Sequence, residues 1–507
     1  MVTTTHTVAF EGVEARRIEV QCALSAGLPS FAIVGLPDKA VSEARERVRA
    51  ALSALSIALP MKRITINLSP ADIPKEGPHF DLPIALALLA AIGILPGPEV
   101  DGIVSLGELS LDGKIKAVQG ALPAAVVAAE DDRALLCPRD CGAEAAWVGA
   151  ATVFAPGTLT EAIRHLNAER PLMAARPGAV CGQVACGDLR DVKGQARAKR
   201  ALEIAAAGRH HLLMVGPPGA GKTMLASRLP GLLPELSPAE ALETSMILSV
   251  AGLLPEGGIS RAGPFRTLHH SATRAAVIGG GRRAQPGEVS LAHNGVLFMD
   301  EFPEFGRDVL DSLRQALESG EIMVARANAH VRYPCRFLLV AAANPCRCGH
   351  LTDAARACSR APRCGEDYLG KISGPLMDRF DLRMEVAGID WRDRHSGALA
   401  EGESSADVAA RVAQARAIQA RRFAGHPQVR TNAEAEGRLL DEIATPDAEG
   451  EALLLRAADR FGLSARGYHR VLRCARTIAD LDGAEQVRAP HLAEAIGYRI
   501  VLEKPRR

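Results

Sequence analysis

Aromatic residues are scarce: Phe, Trp and Tyr make up 4% of the 507 residues, with only two Trp. That argues against a base-stacking platform for single strands, and it leaves Ala, Leu, Val and Ile to build the cores. The chain also lacks a charge of one sign: 60 Lys and Arg oppose 59 Asp and Glu. A net charge of +1 neither requires nor forbids a nucleic-acid partner, so charge has to be read segment by segment. No stretch of about 18 apolar residues is free of charge or Pro, which excludes a transmembrane helix; the most apolar stretch, 82–95, reads as a buried helix. The first twenty residues have no apolar leader core and carry Glu11, Glu14, Arg16, Arg17 and Glu19, so a cytoplasmic protein is expected. Its eleven Cys are then thiols or metal ligands rather than disulfides. Neither internal repeats nor low-complexity tracts are present.

What is there is an ordinary folded composition, 48% hydrophobic and 23% charged, long enough for two to four domains. Residues 1–166 alternate between strand-like and helix-like runs, with 63–68 alternating at period two, 40–55 amphipathic, and short strands at 103–106 and 134–137. This predicts one α+β or α/β domain. Residues 167–187 hold Pro171, Pro177, Gly178 and Gly182 without a period and read as a linker, with Cys181 and Cys186 as plain thiols. From 188 to 390 the apolar strands 212–215, 296–299 and 337–341 alternate with helices, which predicts a parallel sheet covered on both faces. Residues 391–507 read as helical, at 407–423, 449–461, 465–481 and 489–501.

Gly216-Pro217-Pro218-Gly219-Ala220-Gly221-Lys222-Thr223 fits the phosphate-loop pattern G-x-x-x-x-G-K-[ST], between a strand at 212–215 and a helix starting at 224–229. Its glycines let backbone N–H groups close around phosphate oxygens. Lys222 then contacts the β- and γ-phosphates, and Thr223 is placed to ligate Mg²⁺. A Gly-rich turn with an unrelated Lys is the bland alternative, and the flanking elements weigh against it. Val296-Leu-Phe-Met-Asp300-Glu301 is a buried strand ending in two carboxylates. Asp300 is a candidate Mg²⁺ ligand and Glu301 a candidate general base for the attacking water. A third apolar strand ends at Asn344, a polar group able to bond the γ-phosphate or the water. Arg379, in Ser373-Gly-Pro-Leu-Met-Asp-Arg-Phe-Asp-Leu382, is either an ion-pair partner or a cation presented to a neighbouring subunit's phosphate.

In this order, phosphate loop, Asp-Glu strand, Ala-Ala-Asn-Pro and the 373–382 segment, the chain resembles AAA+ ATPases of the branch containing magnesium chelatase and MCM helicases. More closely it resembles the bacterial ComM/YifB magnesium-chelatase-like family, over nearly its whole length and including Asp191-Val-Lys-Gly-Gln195 and Leu463-Ser-Ala-Arg-Gly467. The resemblance implies a P-loop AAA+ parallel-sheet module with a helical C-terminal lid and ATP with Mg²⁺. It implies Asn344 as first sensor, Arg379 as arginine finger toward the next subunit, Arg466 as second sensor from the lid, and Val192 and Gln195 at the adenine wall. It further implies a homo-hexameric helicase that migrates DNA branches during recombination or natural transformation. Residues 1–166 are similar to the Lon-protease fold, with His79 where that family has its Ser and Leu122 where it has its Lys. Without a hydroxyl and an amine there is no Ser–Lys dyad, so peptidase chemistry is not expected.

Cys346, Cys348, Cys358 and Cys364 put four thiols within nineteen residues, a candidate structural Zn²⁺ site with His350 as a substitute ligand. Lys222 and Asp300 lie 78 positions apart, so insertions separate them. Between Glu256 and Glu288 there is no acid, but there are Arg261, Arg266, Arg274, Arg282 and Arg283, with His269 and His270 among them; a second stretch holds Arg326, Arg332 and Arg336. These are candidate DNA contacts lining a ring pore. The alternative function is a chelatase-type ATPase that remodels a partner protein, and the N-terminal domain weighs toward the DNA motor.

Overall fold

The computed structural model describes residues 2–181, 186–254, 258–281, 284–325, 330–351, 358–387 and 402–500. Arg282, Arg283 and Arg326 of the basic stretches, and the expected boundary at 390–391, lie outside the described residues.

The N-terminal region is a seven-stranded mixed sheet covered by helices. Val2–Glu11 and Glu14–Ser25 form its long antiparallel hairpin, from Val2↔Ala23 to Glu11↔Glu14, turned at Gly12 with φ 68°. The sheet order is Ser30–Val34, Arg63–Ser69, Glu14–Ser25, Val2–Glu11, Ile103–Ser105, Ala134–Leu136, Val153–Phe154. Arg63–Ser69 alternates buried and half-buried residues as its period predicts. Asp81–Ala91 is the buried helix expected within 82–95; among its residues only Ala91 is not buried, so it shows no polar face.

The central sheet has five parallel strands in the order Phe265–Leu268, Val296–Met299, Leu338–Ala343, Leu212–Val215, Leu382–Glu385. The phosphate-loop strand thus sits between the Asn344 strand and the strand that follows Arg379. Residues of one parity, such as Leu212, Met214, Phe298, Val340 and Leu382, pack under the helix Ala196–Gly208 and the lid. Those of the other, Leu213, Leu297, Met299 and Leu339, pack against the helix Arg307–Ser319. Both faces are therefore dry, which explains the unbroken apolar runs. The helix after the loop is Lys222–Ala226, shorter than expected, and a 3₁₀ turn with Pro230 in its first turn, Leu229–Leu232, follows it.

The C-terminal part is helical: Ser405–Arg422, Gly437–Ala444, Ala448–Phe461, Ala465–Leu481 and Ala489–Ile500. Its first helix is capped by Ser404 and carries Arg421 and Arg422 in its last turn. Of the expected linker, Val180–Cys181 pairs in parallel with Ile259–Ser260, so it is strapped to the core rather than loose. No helix among the described residues is long and apolar enough to cross a membrane.

Candidate nucleotide site

Parallel strands end at one sheet edge, so register decides what meets there. Val215 is level with Ala343, and Met299 with Ala341. The phosphate loop, Asp300–Glu301 and Asn344 therefore leave adjacent strands together. Lys222 donates from Nζ to Gly216 O at 2.7 Å, Pro217 O at 3.0 Å and Asn344 Oδ1 at 3.1 Å. Burial pulls its ammonium below the ordinary value, against the pull of the Asp300 and Glu301 carboxylates. Gly219 and Gly221 have φ of 77° and 89°, which L side chains resist. A side chain at Gly216 would strike Val386 O at 2.3 Å, so only Gly lets the loop pass the neighbouring strand.

Thr223 Oγ1 donates to Asp300 Oδ2 at 2.8 Å. One hydroxyl and one carboxylate suit Mg²⁺, which takes one or two protein oxygens beside phosphate and water. Glu301 has φ 51°, and its Oε2 lies 2.8 Å from His270 Nδ1. Sequence reading placed His270 in a basic stretch and missed this pairing. Val192 is buried, and Gln195 donates from Nε2 to Ala387 O at 2.7 Å, just beyond the strand that flanks Gly216. Gln195 thus stands near the loop, and Val192 lies in the same core cluster as Ala220.

Arg379 and Arg466 are elsewhere. They line a separate cleft of about 500 Å³ with Arg209, Arg336, Arg470 and Arg473. Arg379 is ion-paired with Glu318, which also takes Arg314 at 3.2 Å. The lid clamps its loop: Arg470 donates to Arg379 O at 2.9 Å and to the Asp381 carboxylate, and Arg499 donates to Phe380 O at 3.1 Å. Arg466 is exposed and has no side-chain hydrogen bond or ion pair among the described residues. The cleft gathers six arginines, and neither Lys222 nor Asn344 is among its lining residues.

The zinc expectation finds no support: among the described residues no group of three or more His, Cys, Asp or Glu is arranged to hold a metal. Ligands about 2.3 Å from a tetrahedral ion sit about 3.8 Å apart. Cys346 and Cys348 Sγ are closer, at 3.1 Å. The turn at 346–349 instead abuts the phosphate loop, where a Cβ on Gly349 would meet Pro218 at 2.6 Å.

The basic stretches divide. Arg261 pairs with Glu235 at 3.2 Å and Arg266 with Glu288 at 2.6 Å, so both are neutralised within the chain, while Arg336 lines the arginine cleft. Arg274 and Arg332 remain exposed. At the N-terminal domain, His79 is buried with Nε2 2.9 Å from Val8 O, and Leu122 N–H donates to Glu144 at 3.1 Å. His79, Gly120 and Glu144 line a cavity of about 570 Å³ that also takes in Ser249 of the core.

Residues 188–393 match the family model described as magnesium chelatase, subunit ChlI. Residues 18–141 match one described as subunit ChlI of Mg-chelatase, and 402–499 one described as magnesium chelatase, subunit ChlI C-terminal. Among curated relatives, competence protein ComM of Haemophilus influenzae is 44% identical, covering 97% of this chain and 96% of its own. YifB of Salmonella typhimurium is 43% identical and YifB of Escherichia coli 42%, each covering 98% of this chain and 96% of its own.

Proposed function

Because the chain belongs to the ComM/YifB family of magnesium-chelatase-like AAA+ ATPases, we propose that it is a cytoplasmic ring motor that hydrolyses ATP to act on DNA. Its action is that of a helicase promoting branch migration in recombination or natural transformation. In this reading residues 1–166 form a Lon-like domain without peptidase chemistry, 167–187 a linker, 188–390 the AAA+ core and 391–507 the lid. The observation that carries it is the likeness to a competence protein along the full chain, joined to a complete phosphate-binding edge.

The residues act as follows. Backbone N–H groups of Gly216–Thr223 and the Lys222 ammonium hold the phosphates, and Val192 and Gln195 flank the adenine. Thr223 and Asp300 would hold Mg²⁺, which when bound would supply positive charge against that of the phosphates. Asn344 orients the attacking water. Glu301 accepts its proton as the new P–O bond forms and the bond to ADP breaks. Arg379 reaches the γ-phosphate held by the next subunit, Arg466 contacts nucleotide as the second sensor from the lid, and a homo-hexameric ring is the working unit.

A second reading, a chelatase-type ATPase remodelling a partner protein, is favoured by the descriptions of all three family models. The N-terminal match carries that description too, so the N-terminal domain does not separate the readings. Turnover with and without single-stranded and forked DNA, at low and moderate salt, does. Stimulation that fades with salt is expected for the DNA motor. A rate indifferent to every DNA would move the assignment to protein remodelling.

A further inference from the structure

The cavity of about 570 Å³ between the N-terminal domain and the core takes no part in the nucleotide site: neither the phosphate loop nor Asp300, Glu301 or Asn344 lines it. Its size is that of a small-molecule site. Glycines border it where the two units pass closely. A Cβ on Gly12 would meet Val331 at 2.7 Å, and one on Gly252 would meet Gln119 at 2.6 Å. Gly120 N–H donates to Ser249 O at 3.2 Å. Between these contacts the surfaces part, and they enclose space that their own side chains do not fill.

The walls combine two kinds of surface. Phe10, Ile73, Val118, Val250 and Val331 are apolar. Among them stand five carboxylates, Glu11, Glu76, Glu108, Asp140 and Glu144, and no Lys or Arg. Glu11 is answered by Arg16 at 3.2 Å, and both Glu11 and Asp140 are exposed. Glu144 is half-buried and has no such cation. Its two donors, Ser249 Oγ and Leu122 N–H, both go to Oε1, and Oε2 has no partner among the described residues. Burial raises its carboxyl and no cation pulls it back. A cation entering the cavity would relieve that cost. The negative charges do not converge on a point: among the described residues no three acids, His or Cys gather to hold a metal ion. Negative points separated by apolar wall match positive points separated by methylenes.

We infer that this cavity binds a linear polyamine, a methylene chain bearing two or more ammonium groups, with one ammonium on Glu144 Oε2 and another on the carboxylates nearer solvent. Because the walls come from both units, the ligand ties the N-terminal domain to the core. Such binding is independent of whether the motor acts on DNA or on a protein. The test is calorimetric titration of spermidine into the full chain, without ATP or DNA, whose phosphates would compete for the amine. Controls are n-butylamine and Mg²⁺ at matched ionic strength. Saturable binding at a single site is expected for spermidine, with n-butylamine weaker by at least about tenfold because it engages one carboxylate at a time. Glu144→Gln, which removes a charge-assisted contact, should weaken spermidine by about tenfold or more. Ala117 is exposed and lines the cavity, so Ala117→Trp should obstruct it without altering charge and weaken spermidine comparably. Both variants should keep the wild-type ATP turnover measured without polyamine, since neither residue touches the nucleotide site. A wild type with no saturable spermidine binding overturns the inference. So does Mg²⁺ or n-butylamine binding as tightly as spermidine, which marks a plain counterion effect. So does an affinity that survives either substitution, which places the amine elsewhere on the acidic surface.

Discussion

The ATPase core is gripped on two sides by neighbours of opposite construction. On the lid side the grip is made of arginines, of which Arg470 and Arg499 are buried and Arg430 and Arg411 half-buried. Arg470 meets Asp381, Arg499 meets Asp378 at 3.3 Å, Arg430 meets Glu243 at 3.1 Å and Arg411 meets Glu203 at 2.6 Å. On the N-terminal side the polar contacts are sparse. Ser249 donates to Glu144, Gly120 N–H donates to Ser249 O at 3.2 Å, and a cavity of about 570 Å³ lies between the surfaces. Directional ion pairs fix an angle, whereas an interface around a cavity tolerates movement. The rigid grip falls on the loop that carries Arg379. The proposed action of Arg379 on another subunit would need this, since its aim would be set entirely by its own support.

The comparison breaks first at Arg379 itself. Arg379→Ala should lower turnover by about 10³-fold or more, as expected of an arginine finger, with ATP binding retained. Mixing it with Glu301→Gln subunits should restore part of the activity, because a site lacking its neighbour's Arg379 then meets a subunit that has one. Mixtures that stay dead would remove the trans assignment. Arg470→Ala comes next. Asp381 is 2% exposed at its side chain. Burial alone would raise its carboxyl, yet the Arg470 guanidinium and then His210 hold it well below the usual range. Stripping the guanidinium from a buried partner should cost about 3–5 kcal/mol in denaturant unfolding of the core and lid. Turnover should fall as well, since the Arg379 carbonyl loses its donor. A stable Arg470→Ala protein with normal turnover would show that the grip is idle.

How much of this was legible in the sequence follows from the range of the interactions. The phosphate loop, its strand Leu212–Val215 and the strand Val296–Met299 were readable because local chemistry and burial on both faces demand their residue types. The lid helices Ala465–Leu481 and Ala489–Ile500 were readable from period. The hairpin Val2–Glu11 with Glu14–Ser25 was not, because the pairing depends on register. The long-range pairs were silent: His270 with Glu301 and Glu318 with Arg379 join residues far apart along the chain. Only the strand order could have given the first, by counting two positions past Leu268 and past Met299. Nor was it legible that Glu235 and Glu288, outside the acid-free window, fold back onto Arg261 and Arg266.

The smallest effect belongs to the sparse side. Burial raises the Glu144 carboxyl, despite hydrogen bonds from Ser249 and from Leu122 N–H. A carboxyl whose folded value lies above its unfolded value favours folding most at low pH. That contribution is lost as pH rises through the folded value, so at pH 7 the charged Glu144 weakens the interface. Glu144→Gln keeps an oxygen for both donors and removes the charge. It should therefore melt slightly higher than the wild type at pH 7, by no more than about 1 kcal/mol, with turnover unchanged. The gap should close as the pH is lowered toward 4, where the wild-type group is protonated too. A variant that melts lower at pH 7 would mean that the charge is compensated within the cavity. The N-terminal interface would then be an electrostatic grip after all, and the contrast with the lid would fail.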